Sequence, residues 1–184
     1  VEHYGVEPLP PNSVNEKNIT QVDVVGAAIK RAVAKSGSKS KFAAVAVSGS
    51  SVITKVITVT GGLDEVAMEQ QVFDEASNHI PYQMDEVSLD FEELGPIPNT
   101  DSVQVMIAAA RTENVEARQA ALEYAGLTAK VVDVEVFAVE NAFKLISGQL
   151  DVQIGGLTAI IDIGANLTTL NIIKDGRSIY SRDQ

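Results

Sequence analysis

Apolar residues recur along this chain with two periods, and the switch between them predicts its elements. Val22, Val25, Ile29, Ala32 and Val33 fall on one helical face. Thr20, three residues before Asp23, gives a variant of the capping box and predicts where that helix starts. Ser36-Gly37 predicts where it stops, since glycine tolerates the left-handed position after a helix. "FAAVAVSGSSVITKVITVT" is rich in β-branched residues and reads as a strand that Gly49 divides in two, with a turn at Gly61-Gly62. From Asp64 to about Asn78, Met68, Val72, Ala76 and Ile80 recur every four residues while Glu65, Glu69 and Glu75 lie mainly elsewhere, which is an amphipathic helix. After the loop "IPYQMDEV", Val87, Leu89 and Phe91 alternate with polar residues as in a half-buried strand. The segment Gly95 to Thr100 connects it to the strand "SVQVMIAAA". Thr112 predicts a helix cap, with Glu113 and Glu116 in the first turn where the helix dipole favours acid. That helix ends at Gly126, and "TAKVVDV" is the next strand.

The order from Ser50 to about Val132 is therefore β-α-β-β-α-β, the split-βαβ pattern with two helices on one face of a small sheet. Beyond it, "EVFAVENAFKLISGQ" carries Val136, Val139, Phe143 and Ile146 on one stripe and is apolar on most sides, so it is expected to be deeply packed. "LDVQIGG" reads as a loop, followed by the strands "LTAIIDI", "TTLNIIK" and "RSIYSRD". Asp175-Gly176 between the last two is a two-residue hairpin signal. The fold class is mixed, α/β with an α+β insertion. "VEHYGVEPLPP" reads as the end of a strand and "RSIYSRDQ" as a strand in progress, so the chain is expected to be a piece of a longer protein, cut inside structure at both ends.

Composition narrows the chemistry. The 184 residues are 45% hydrophobic, enough for a core, and contain no cysteine, which removes disulfide and thiolate chemistry. With two histidines, His3 and His79, a histidine-based metal site is not expected. The formal charge of −11 repels nucleic-acid phosphates and anionic lipid, and no apolar span reaches membrane-crossing length. His79 reads as a loop or helix-end residue, and Asp85, Glu86, Asp90, Glu92 and Glu93 as the wet face of a strand. The serines of "VSGSS" have no histidine nearby in sequence to activate one of them.

One segment does suggest chemistry. In "IIDIGANLTTL", Asp162 ends an apolar strand, and Gly164 permits a tight turn whose backbone amides can approach an anion. Thr168 and Thr169 open the next strand, where hydroxyls and amides can face the same anion. Asp162 would repel a bare phosphate but suits Mg2+ held through water. The same pattern also fits an ordinary turn between two strands.

The packed helix, the strand ending in Asp-x-Gly, the strand opening with Thr-Thr and the Asp-Gly hairpin together resemble the second phosphate loop of the actin-like ATPase superfamily. Further stretches extend the resemblance over nearly the whole chain: "HYGVEPLPPNSV", "AVAVSGSSVITKVI", "EASNHIPYQMDEVSLDFEELG", "AARTENVEARQAALEYAGL", "VVDVEVFAVENAF" and "IIDIGANLTTLNII". They are similar to the PilM family of type IV pilus assembly proteins, in the FtsA/PilM branch of that superfamily.

The resemblance implies an actin-like first lobe (1–49 and 133–154) with an inserted SHS2-like subdomain (50–132). The start of a second lobe, with its phosphate hairpin, would occupy 155–184. It implies ATP and Mg2+ as ligands of the complete protein, with Asp162, Gly164, Asn166, Thr168 and Thr169 on the phosphate side and Asp162 on the metal side. A first phosphate loop is expected before Val1 and an adenosine pocket after Gln184. This chain alone, with one loop of a two-sided clamp, is therefore expected to bind nucleotide negligibly. Glu140 is the candidate for orienting a water, or else forms an i, i+4 pair with Lys144. The implied partner is the cytoplasmic N-terminal tail of the inner-membrane protein PilN, bound at the groove between the first-lobe core and the inserted subdomain, together with other proteins of the pilus inner-membrane complex. The implied location is the cytoplasm, peripheral to the inner membrane through those partners. Unpaired sheet edges leave self-association open. Two other readings within the superfamily are a phosphotransferase such as a sugar or acetate-type kinase, and an FtsA-like membrane tether.

Overall fold

A computed structural model describes residues 2–149, 156–165 and 167–184. In chain order the elements are β1 (Val14–Asn15), β2 (Asn18–Ile19), α1 (Val22–Ser36), β3 (Phe42–Val47), β4 (Val52–Thr60), α2 (Glu65–Ser77), β5 (Val87–Pro96), β6 (Ser102–Arg111), α3 (Thr112–Tyr124), β7 (Thr128–Val134), α4 (Glu135–Ser147), β8 (Leu157–Ile163), β9 (Thr168–Lys174) and β10 (Arg177–Asp183). They form two compact units, residues 1–50 with 116–184, and residues 51–115. Most of the loop expected at "LDVQIGG", like Asn166, lies outside the described residues.

The second unit is an antiparallel sheet in the order β4-β6-β5, with α2 packed on β4 and β6. Alternation decides which side is covered. Ile57, Val59, Val103, Val105 and Ile107 point to one face and meet Met68, Val72 and Ala76 of α2, all buried. The Asp64 carboxylate accepts from the Ala67 amide at 2.8 Å and caps α2 where the sequence predicts its start. His79 sits just past the end of α2, its ring nitrogens 3.2 Å from Glu75 and 3.0 Å from Lys55, a helix-end residue as expected. Asp90, Glu92 and Glu93 are exposed along β5.

In the first unit β3 and β7 form a parallel pair, and β10-β9-β8 an antiparallel sheet. The expectation that "TAKVVDV" completes the sheet of the second unit is thus corrected: β7 pairs with β3, and that unit ends at Val115. Element order alone cannot tell which of two sheets a strand joins. Helix α4 packs against β3, β7 and β10. Helix α1 carries Gly26 at its middle because α3 lies there: a Cβ on Gly26 would stand 2.6 Å from the Tyr124 Cβ. The Asp175-Gly176 turn is as expected, with φ of 51° and 78°, the mirror-image turn that matches strand twist.

Three local expectations fail for physical reasons. Thr20 does not cap α1. Its hydroxyl donates to the Asn12 carbonyl at 2.6 Å, and the position flanking the helix is Gln21, without a side-chain cap. Thr112 is the first residue of α3 rather than a flanking cap, and its hydroxyl accepts from Ser88 Oγ at 3.2 Å. Helix α4 is not deeply packed: Phe143 and Ser147 are buried, but Leu145 is 79% exposed and Ile146 43%. The strands β3, β7 and β10 cover only part of the helix surface, and α4 has apolar residues beyond that part.

Candidate functional site

The predicted phosphate segment folds as β8, a turn and β9. Gly164 N donates to the Leu167 carbonyl at 3.0 Å, and a Cβ on Gly164 would come within 2.9 Å of that same oxygen. The glycine is required by this close approach rather than by an unusual φ. Thr168 and Thr169 do not act together. Neighbouring strand residues point to opposite faces, and the Thr168 amide is committed to the Gln184 carbonyl at 2.7 Å. Thr169 alone faces inward, 8% exposed.

The ladder then builds a polar row that the sequence does not announce. Thr169 lies opposite Asp162 on one side and Asp183 on the other, so β8, β9 and β10 each contribute one oxygen-bearing side chain at the same level. Two residues further along β9, on the same face, Asn171 lies opposite Ser181. These five residues, with Gly49 and with Glu135 and Val136 of α4, line a cleft of about 30 Å3. That is room for an ion or a water, not for a nucleoside.

Lys17 reaches three residues of the cleft wall from the tip of the β1-β2 hairpin. Its Nζ donates to Glu135 Oε2 at 2.8 Å, to Thr169 Oγ1 at 3.0 Å and to Asp183 Oδ1 at 3.3 Å. Thr169 Oγ1 in turn donates to Asp183 Oδ1 at 2.7 Å, and Ser48 Oγ to Asp183 Oδ2 at 3.4 Å. Burial pulls the Lys17 ammonium down, but the Glu135 hydrogen bond and the Glu135 and Asp183 charges outweigh it and hold the amine above the usual lysine range. Burial pushes the Asp183 carboxyl up. The Thr169 hydroxyl, the Lys17 charge and the Ser50 hydroxyl outweigh that and keep it below the usual carboxylate range.

The hairpin tip is held by a buried arginine. Arg118, 5% exposed, donates through Nη2 to the Lys17 carbonyl at 2.8 Å and through Nε to the Ala46 carbonyl at 2.7 Å. Glu16 and Lys17 have φ of 47° and 66°, a left-handed pair without glycine, which costs roughly 1 kcal/mol or more per residue.

Glu140 does not line the cleft. Its Oε1 accepts from Lys144 at 2.5 Å, the i, i+4 pair, and its Oε2 accepts from the Ser178 amide at 2.7 Å. One oxygen closes a pair within α4 and the other anchors α4 to β10, so the water-orienting reading gains no support from its position. The α4 carboxylate that does reach the cleft is Glu135.

The donor set fits a hydrated divalent cation beside a phosphate better than a protein-caged one. Among the described residues no three His, Cys, Asp or Glu side chains converge on a metal position, whereas Mg2+ commonly takes one or two carboxylates and completes its shell with water and phosphate. Among the described residues the buried Asn171 Oδ1 has no hydrogen-bond partner, an acceptor left over in the same cleft. Among the described residues no helix is long and apolar enough to cross a membrane.

A family model described as "Type IV pilus assembly protein PilM" matches residues 1–184. Among solved structures, a chain of a "PilM-PilN type IV pilus biogenesis complex" is similar, with 30% identity and a TM-score of 0.77. The similarity covers 96% of this chain and 52% of that one, so this chain spans about half the length of the solved relative.

Proposed function

The chain belongs to the type IV pilus assembly protein PilM family, and from that membership we propose that it is part of an actin-like, ATP-binding scaffold of the pilus assembly machinery that takes up the N-terminal tail of PilN. The observation that carries the reading is the tight turn at Gly164 with the row Asp162-Thr169-Asp183 beside it, in a chain 30% identical to one from a PilM-PilN complex. Asp162 and Thr169 would hold the metal and phosphate side of the nucleotide, and Gly164 would let the backbone approach. Mg2+ would supply the positive charge that lets phosphates lie beside a carboxylate. Of the other two predicted phosphate residues, Thr168 points to the face opposite Thr169, and Asn166 lies outside the described residues. The location that goes with this reading is the cytoplasmic side of the inner membrane, reached through partners. The acidic balance of the chain suits a positively charged tail.

Binding measured with the complete protein tests this. A synthetic PilN tail peptide is titrated into it with and without Mg-ATP. Saturable binding of the peptide is expected, and a folded complete protein that ignores the peptide overturns the scaffold reading. Loss of Mg-ATP binding on Asp162→Ala is expected, and unchanged binding removes Asp162 from the site.

A further inference from the structure

We infer that Lys17 is a tethered cation occupying a divalent-cation site formed by Glu135, Thr169 and Asp183, and that a hard divalent ion displaces it. Three oxygens converge on one point, now taken by the Lys17 ammonium at 2.8, 3.0 and 3.3 Å. Two are carboxylates and one is a hydroxyl, a donor set that suits Mg2+, Mn2+ or Ca2+ rather than softer metals. The independent sign of a missing ligand is Asn171, 2% exposed, whose Oδ1 is buried in the same cleft without a partner among the described residues. An ammonium donates three hydrogen bonds, and Lys17 spends all three on the other oxygens. A metal ion with its waters has positions left for the amide oxygen.

The placement of Lys17 is built. Its backbone is held in a left-handed conformation at the hairpin tip, with its carbonyl fixed by the buried guanidinium of Arg118. The four-carbon side chain remains free to leave once another cation neutralises the carboxylates. The cleft beside it keeps about 30 Å3 free with Lys17 in place, room for an ion or a water. Lys17 is then a gate for the metal. It offsets one of the two carboxylate charges when no metal is bound and makes metal entry compete with an internal charge.

This concerns the same cleft as the nucleotide reading, but the test uses metal without nucleotide, so the two can fail separately. Mn2+ is titrated into the complete protein and its binding followed by electron paramagnetic resonance, with Mg2+ as competitor. Lys17→Met is expected to tighten Mn2+ about tenfold, and Lys17→Arg, which keeps the charge, to leave the affinity at the wild-type level. Asp183→Asn is expected to abolish the gain. Equal Mn2+ affinity in Lys17→Met and wild type overturns the inference, as does the same tightening in Lys17→Arg. Should Lys17→Met fail to fold, the wild-type protein still decides. Acetylation of the Lys17 amine should rise when Mn2+ is added, and an unchanged rate overturns the displacement.

Discussion

Thr169 and Asp183 face each other across the β9-β10 ladder, and the threonine hydroxyl donates to the aspartate at 2.7 Å while accepting from Lys17. One hydroxyl thus mediates between an acid and a base that come from opposite ends of the chain. Thr169→Val keeps the shape and removes both bonds. The expected loss is about 1–2 kcal/mol, because Asp183 keeps its charge with one donor fewer. A lower urea midpoint with an unchanged slope is the signature to look for.

The same network predicts how stability depends on pH. Asp183 is held below its unfolded value, so its contribution is present above about pH 4 and is lost as pH falls through the lower folded value. Lys17 is held above its unfolded value, so its contribution is full below about pH 10 and is lost as pH rises through the higher folded value. The network should therefore contribute evenly between about pH 5 and pH 9. Thermal unfolding across a pH series checks this. In Asp183→Asn the acid-side fall should be shallower than in wild type, and an identical acid limb would show that this carboxylate does not drive it.

Glu140 is predicted to matter for architecture rather than for turnover. Glu140→Ala leaves the Ser178 amide without its acceptor, at a cost of about 1–3 kcal/mol. Glu140→Gln keeps an acceptor oxygen and should retain most of the stability. ATP turnover by the complete protein should change little in the Gln variant, and a large drop there would restore Glu140 as a candidate for orienting water.

Gly26→Ala tests the contact between α1 and α3. Helix propensity alone favours alanine by about 1 kcal/mol. The added Cβ, however, would stand 2.6 Å from the Tyr124 Cβ and 2.9 Å from the Ala121 carbonyl, so the helices must part. A net loss of about 1–3 kcal/mol is expected from overpacking. A rise in melting temperature would mean that α1 and α3 separate at little cost.

Much of this molecule is legible in its sequence, and the illegible parts share a cause. The spacing of Met68, Val72 and Ala76 gives α2 and its buried face, and Asp64 gives its start. Asp175-Gly176 gives the last hairpin, and Asp162 with Gly164 gives the turn that resembles a phosphate loop. The β1-β2 hairpin escapes because Glu16-Lys17 stands where Asn-Gly would announce such a turn. Lys17, Glu135 and Asp183 are too far apart in sequence for any local pattern to join them. Thr168 is the exception, since strand alternation already places it on the face opposite Thr169. The excess apolar residues of α4 show that a pattern can state how much could be buried without stating what is there to cover it.

Arg118 also bears on how the chain is assembled. The chain leaves the first unit after Ser50 and returns at Glu116. Arg118, just after the return, bonds the carbonyl of Ala46, just before the departure, at 2.7 Å. A further bond of the same guanidinium, to the Lys17 carbonyl, ties the junction to the hairpin that carries the gate. A single guanidinium therefore closes the seam of the excursion from within the first unit. What lies between the two ends becomes an exchangeable cassette, since sequences inserted where chain ends are held together cost little in loop closure. Replacing residues 51–115 with a short linker should leave the Lys17 cleft intact, whereas losing Arg118 would open both the seam and the site.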